Sequence, residues 1–243
     1  MAGDFDHWKR AVYPQYWSRT SREYGIDHYV SGLLHLIRSV QPTEVFELAI
    51  GNGYPFATEL TKGGVAVAGS DISDLLVKEC ARLAPQAKDF VGAYGDQATL
   101  AAIGSSRFDV VYCFRSTWHF LDIENAIAFM LKIVKPGGRV MFDIMNSDAQ
   151  WNRDLLRHKQ LTFPLTIVKN VVKAAVNVAR PGSYMLDQVF GVRDIMYSPA
   201  EIDRVLRGHG RTFERLTRGA VEQAGGDASA GDSDQKIVYV VHC

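Results

Sequence analysis

Val45-Phe46-Glu47-Leu48-Ala49-Ile50-Gly51-Asn52-Gly53-Tyr54 decides the reading of this 243-residue chain. An apolar run of strand character passes an acidic residue and enters a turn punctuated by Gly51 and Gly53; a helical pattern begins near Phe56. Glycine at such a turn lets the backbone approach a ligand closely, because no Cβ intervenes and positive φ costs little. Strand, tight turn and helix in that order build a nucleotide-type pocket at the carboxyl end of a parallel sheet. The spacing argues against a dinucleotide. G-x-G-x-x-G needs a third glycine to pack helix on strand, and Gly53 is followed instead by Tyr54, Pro55 and Phe56.

The same residues resemble the E/D-x-G-x-G-x-G segment of class I S-adenosylmethionine-dependent methyltransferases. Glu47, Gly51 and Gly53 match it, and Ala49 stands at the first glycine position, one methyl larger. The resemblance implies an acid at the tip of the first strand and a loop wrapped around the methionine part of the cofactor. Val65 to Gly69 reads as a second strand ending at Asp71, 24 residues beyond Glu47. There the family uses a carboxylate to accept the ribose hydroxyls. Ser73 reads as the N-cap of a helix through Leu75, Leu76 and Cys80. Phe90 to Gln97 looks like a third strand and a Gly-Asp step, whose Asp96 the family uses to accept from the adenine amino group. Phe108 to Phe114 reads as a buried fourth strand, followed by an amphipathic helix to about Val134. Lys135-Pro136-Gly137-Gly138 then reads as a turn, and Arg139 to Met145 as a fifth strand.

Taken singly, Glu47 suits an edge acid, Asp71 a carboxylate approaching a helix and Asp96 an N-cap. Their occurrence at successive strand ends favours one shared pocket. The resemblance thus implies S-adenosylmethionine as cofactor, with S-adenosylhomocysteine as product. It assigns the pocket to Glu47, Ala49, Gly51, Gly53, Asp71, Ile72, Asp96, Gln97 and Phe114.

Composition narrows the function classes. The chain is 47% hydrophobic and 22% charged, with 27 basic and 27 acidic residues, so no net charge draws it to nucleic acid. Its three cysteines, Cys80, Cys113 and Cys243, form neither a C-x-x-C site nor a disulfide framework, which suits a reducing compartment. With no run of about 18 apolar residues and no signal-peptide pattern, the expectation is a cytoplasmic protein without stable membrane insertion.

Three regions surround the cofactor core at 41–147. Residues 1–40 read as a helical lid, with Asp27 preceding a pattern at Tyr29, Leu33, Leu36 and Ile37, and with aromatics at Trp8, Tyr13, Tyr16, Trp17 and Tyr24. Residues 148–197 read as a helical insertion capping the substrate. Within it Leu165 to Arg180 shows an apolar face and a basic one formed by Lys169, Lys173 and Arg180. That pattern suits a membrane surface, an anionic substrate, or the solvated face of a packed lid or homodimer helix. Residues 198–243 close the sheet. Ser198-Pro199-Ala200-Glu201 reads as a capping box opening a helix to about Gly208, Thr212–Thr217 and Lys236–His242 alternate as strands, and a Gly/Asp/Ser-rich loop fills 224–234. The resemblance implies a doubly wound α/β fold with seven strands in the order 3-2-1-4-5-7-6 and the last strand antiparallel.

Methyl transfer from a sulfonium needs proximity and alignment, plus removal of a proton if the acceptor is a hydroxyl. After the fourth strand comes Phe114-Arg115-Ser116-Thr117-Trp118-His119-Phe120. His119 is the candidate base, since histidine with a pKa of about 6.5 is neutral at pH 7; it equally suits a residue lining the loop. Asp143 is a second catalytic candidate, able to orient the histidine, and if buried it needs a partner such as Arg115 or His119. Tyr16, Trp17, Trp118 and Asn146 are candidates for holding the acceptor, the aromatics suiting a sugar ring or a flat molecule. Arg19 and Arg22 could meet the cofactor carboxylate or an anionic substrate group. The favoured reading is O-methylation of a sugar or other polyol. The alternatives are N-methylation of a small amine or natural product, and a silent cofactor-binding protein. A base-modifying nucleic-acid enzyme is disfavoured, because Phe114-Arg115-Ser116-Thr117 lacks the D/N-P-P-Y/F step. Nothing marks a metal site, which leaves only a divalent ion bridging Asp143 to a diol.

Overall fold

The structure is a computed structural model and describes residues 13–21, 25–92, 97–105, 107–120, 122–155, 157, 168, 195–231 and 233–243. In chain order the elements are α1 (Tyr13–Thr20), α2 (His28–Ser39), β1 (Glu44–Leu48), α3 (Phe56–Lys62), β2 (Ala66–Asp71), α4 (Asp74–Leu83) and β3 (Lys88–Val91). There follow α5 (Gln97–Ile103), β4 (Phe108–Cys113), a 3-10 turn (Thr117–His119), α6 (Ile123–Ile133), β5 (Val134–Met145), α7 (Pro199–Gly208), β6 (Thr212–Thr217), α8 (Arg218–Ala224) and β7 (Lys236–His242). The seven strands lie in the order β3-β2-β1-β4-β5-β7-β6. β1 to β5 pair in parallel, and β7 runs antiparallel between β5 and β6. This is the order the resemblance implied.

Side chains alternate across a strand, so each strand feeds two cores. Phe46 and Leu48 of β1, Val111 and Cys113 of β4, and Phe142 and Ile144 of β5 pack with Ile103 of α5, Ile127 of α6 and Leu206 of α7. Val45, Val110, Tyr112 and Met141 pack on the other face with Leu33 of α2, Leu60 of α3, Cys80 of α4 and Val221 of α8. Asp143, two residues beyond Met141, therefore points to the α2 side. Helix α2 sits tight against α8: a Cβ at Gly32 would lie 1.9 Å from the Val221 carbonyl oxygen.

Local signals explain most boundaries. Asp27 caps α2 by accepting from the Val30 N–H at 2.8 Å, and Ser73 caps α4 by accepting from the Leu76 N–H at 3.4 Å. Three elements differ from expectation. β5 begins at Val134, so Pro136-Gly137-Gly138 runs inside the strand as an irregularity where the β4 register shifts. Gly137 takes φ 79° there, and a Cβ at Gly138 would stand 2.7 Å from the Asp109 carbonyl oxygen, so both glycines are needed where the chain turns. Ser198 precedes α7 but its hydroxyl makes no cap bond; it donates to Asp148 at 3.1 Å. α8 follows β6 directly, capped by the Thr217 hydroxyl, where only a strand and loop were expected. The basic segment 165–180 lies outside the described residues, Val168 excepted.

Candidate functional site

The carboxyl ends of the parallel strands form one edge. Antiparallel pairing of Met145 with Lys236 brings the start of β7 to that same edge. Doubly wound sheets bind ligands there, at the reversal of strand order between β1 and β4.

The β1 end carries the glycine turn. Gly51 and Gly53 have φ of 58° and 77°, the left-handed region that glycine enters at little cost. Their Cβ positions are closed for different reasons. At Gly51 the added atom would stand 3.2 Å from Nε1 of Trp17, and at Gly53 2.6 Å from Sγ of Cys80 on α4. Gly51 thus admits the α1 indole, and Gly53 packs turn on helix. Asn52 is fully buried and donates to the Ser21 hydroxyl at 2.8 Å, tying α1 to the turn. Ala49 also adopts positive φ, 62°. Holding a Cβ-bearing residue there costs backbone strain of about 1–2 kcal/mol. Ala49→Gly removes that strain but loosens the unfolded chain, so stability should rise by about 0.5–1 kcal/mol. A urea midpoint that stays level or falls would refute this.

Beneath the turn, Glu47 is buried and accepts from the Tyr112 hydroxyl at 3.0 Å. Burial, with the Glu47 charge beside it, pushes the Tyr112 phenol well above its ordinary range, so it stays a donor. Phe114 is 3% exposed and packs on Phe56 and Tyr112. At the β2 end, Asp71 accepts from the Gly51 N–H at 3.0 Å and the Ser73 N–H at 2.9 Å. Desolvation pushes its carboxyl up to about 6, against the pull of the Ser73, Gly51 and Ile72 backbone. Gln97 is exposed at the start of α5, and Asp96 lies outside the described residues.

The β4 and β5 ends form a second cluster. Asp143 is 0% exposed. Its carboxylate accepts from the Tyr29 hydroxyl at 3.0 Å and the Arg115 N–H at 2.7 Å, and lies 3.8 Å from Lys236 Nζ. Thr117 donates its hydroxyl to the Asp143 carbonyl. The partner that burial demanded is thus the Arg115 main chain, held at φ 61°, with Tyr29 and Lys236, rather than the Arg115 guanidinium. His119 is partly exposed in the 3-10 turn, with its ring 6.0 Å from that of Trp118. Asn146 uses its amide on both sides, donating to the Asp234 carbonyl at 2.9 Å and accepting from the Asp148 N–H at 3.0 Å; it fixes the loop leading into β7. Trp17 is partly exposed beside the turn with the Arg115 guanidinium 5.6 Å from its ring, while the side chain of Tyr16 is outside the described residues, as are Trp8, Arg22 and Tyr24. Sequence reasoning missed Tyr29, Lys236 and Arg218. The signal available was the acid inside strand β5, which required a cation from another segment.

A seven-stranded doubly wound sheet, a glycine turn after β1 and an acid ending β2 define the class: a nucleotide-cofactor fold of the class I methyltransferase type. Residues 17–194 match the model of a family described as a methyltransferase domain, and the chain belongs to that family, with S-adenosylmethionine as its cofactor. A solved Thermotoga maritima structure, described as a S-adenosylmethionine-dependent methyltransferase and possible histamine N-methyltransferase, superposes with a TM-score of 0.59 at 15% identity, covering 100% of this chain and 99% of that one. Magnesium protoporphyrin IX methyltransferase from Synechocystis, with S-adenosylhomocysteine bound, gives 0.57 at 16% identity over 99% and 98%. Among curated proteins, an S-adenosyl-L-methionine-dependent Diels-Alderase of Talaromyces variabilis is 30% identical over 131 residues, 52% of this chain and 44% of that protein. A ubiquinone biosynthesis O-methyltransferase of Coxiella burnetii is 26% identical over 102 residues, 42% of this chain and 43% of that protein. The match spans under half the length of either relative. No helix among the described residues is long and apolar enough to cross a membrane, and none of their His, Cys, Asp and Glu side chains cluster to hold a metal.

Proposed function

We propose that the protein methylates a hydroxyl of a small molecule, with a sugar or other polyol as the favoured acceptor and His119 as the base. The observation that carries this reading is the placement of Trp118 and His119 at the β4 end, one strand from the glycine turn, with Trp17 beside that turn. When bound, S-adenosylmethionine supplies a methyl group already activated on a sulfonium. Gly51 and Gly53 keep the β1 turn clear of Cβ atoms, and Asp71 offers the remaining lone pairs of its carboxylate to ribose hydroxyls. Trp17 and Trp118 provide flat apolar walls for a ring, and His119 takes the hydroxyl proton as the oxygen becomes nucleophilic. N-methylation of a small amine needs alignment without the base. The relative named a Diels-Alderase favours a further reading, in which the cofactor is held and no methyl group moves.

The test is transfer of labelled methyl from S-adenosylmethionine across monosaccharides, disaccharides, polyphenols and amines. Label on hydroxyl acceptors supports the proposal; label on amines alone, or none at all, overturns it. Binding of S-adenosylhomocysteine tests the Asp71 role independently. A ribose hydroxyl donates best to an ionised carboxylate, so affinity should weaken as pH falls through about 6 and Asp71 protonates. Asp71→Asn loses a charge-assisted bond of about 1.5–3 kcal/mol, at least tenfold in affinity, and should flatten that pH dependence. Wild-type affinity that is level from pH 5 to 8 would remove Asp71 from the ribose site.

A further inference from the structure

Three cations gather on the acceptor side of the site. Lys236 opens β7 with its side chain 21% exposed, and its ammonium lies 4.4 Å from the Trp118 ring centroid and 5.1 Å from that of Tyr29. Arg218, the first residue of α8, lies 5.6 Å from the Tyr29 ring and pairs with Glu222 at 2.7 Å. Arg115 lies over Trp17, and among the described residues no carboxylate pairs with its guanidinium. Asp143 faces Lys236, Glu222 pairs with Arg218 and Asp27 acts on Lys236 from farther off, which leaves the Arg115 guanidinium as the cation of the three with no paired carboxylate among the described residues. Burial lowers the Lys236 pKa, Arg115 and Arg218 lower it further, and Asp143 and Asp27 oppose them. A partly desolvated cluster in that condition gains from a bound anion.

The glycine turn lies near Arg115, whose guanidinium stands over Trp17 beside Gly51, but far from Lys236. Lys236 begins β7, three strand positions from the glycine turn with β4 and β5 between, a separation of roughly 14 Å at about 4.8 Å per strand. A phosphate ester carries about −1.5 to −2 charges at neutral pH, more than one guanidinium without a paired carboxylate balances. A carboxylate matches it, and arginine can meet a carboxylate through two parallel N–H bonds. We propose that the acceptor is a hydroxylated ring bearing one carboxylate, with that carboxylate held by Lys236 and Arg115 and the ring against Trp118. Sugar acids and aromatic hydroxy acids share this chemistry. The inference rests on the reading of the Trp118–His119 turn as the acceptor site.

The experiment titrates protein saturated with S-adenosylhomocysteine with glucuronate and benzoate, with their neutral counterparts glucose and benzamide, and with inorganic phosphate. Tryptophan fluorescence and protein NMR shifts report binding. At least one carboxylate should bind about tenfold or more tighter than its neutral counterpart and tighter than phosphate. Whichever carboxylate it is names the ring class. Lys236→Met should abolish the preference and Lys236→Arg should keep most of it, both variants binding S-adenosylhomocysteine within about twofold of wild type. Equal binding of charged and neutral probes, tighter binding of phosphate, or joint loss of carboxylate and S-adenosylhomocysteine in Lys236→Met overturns the proposal. Wild-type protein that fails to bind S-adenosylhomocysteine sinks the parent reading as well. Protein that binds it without preferring carboxylates overturns this inference alone.

Discussion

Asp143→Ala should destabilise the protein by about 3–5 kcal/mol, the cost of removing one partner from a buried charged network. The carboxylate is fully enclosed and serves three segments distant in sequence: Tyr29 on α2, Arg115 after β4 and Lys236 on β7. Without it the Tyr29 hydroxyl and the Arg115 N–H lose their acceptor, and Lys236 faces Arg115 and Arg218 with only the weaker pull of Asp27 against them. Asp143→Asn keeps an acceptor for one N–H or O–H and should cost less. The variants also predict a pH trend. Lys236 already has a folded-state pKa below its ordinary 10.5, so the unfolded chain binds more protons between the two values and stability rises with pH across that window. Loss of Asp143 lowers the folded value further and widens the window, so Asp143→Ala should recover part of its deficit as pH rises toward 10.5. Urea unfolding across pH measures both effects. A deficit under about 1 kcal/mol, or one independent of pH, would show that the network contributes little.

That network marks the boundary of what local sequence signals could reveal. The β1 turn, the acid ending β2 and the caps at Asp27 and Ser73 were legible, because each depends on residues within a few positions or on a period of two or 3.6, whereas the strand order came from the family resemblance that those motifs carried. Tyr29 and Asp143 are 114 residues apart, and nothing within a short window joins them. Lys236 reads as the polar first residue of a strand until antiparallel pairing sets it against Met145. α8 escaped notice because seven residues with Gly219 inside form a weak helical pattern, and its stability comes from packing on α2 through Val221. Gly137 and Gly138 were legible as a turn signal, but not as a bulge inside β5, with Gly137 at φ 79° and pairing to β4 on both sides of it. Ala49 illustrates a third limit. Its extra methyl is visible in the sequence, whereas the φ of 62° that makes a Cβ costly there is a property of the folded backbone.

His119→Ala should lower kcat on a hydroxyl acceptor by about 10²–10⁴, the contribution of a positioned general base, with much smaller change in KM or in S-adenosylhomocysteine affinity. The reason is chemical. A neutral hydroxyl is a poor nucleophile, and attack leaves its oxygen positively charged unless a base removes the proton as the bond forms. The imidazole can do so only when neutral, so wild-type turnover should fall toward acidic pH and His119→Ala should lose that limb of the profile. The split between kcat and KM separates a base from a residue that merely shapes the loop. The 3-10 turn is held by main-chain bonds from His119 N–H to Ser116 and from Phe120 N–H to Thr117, and by Thr117 on the Asp143 carbonyl, none of which needs the imidazole. His119→Gln, polar and of similar reach but unable to accept a proton at neutral pH, should be nearly as impaired as alanine if the role is proton removal. Retention of most turnover in both variants would remove His119 from the chemistry and favour an acceptor that needs only alignment. Small amines meet that description, since a neutral nitrogen attacks without prior loss of a proton.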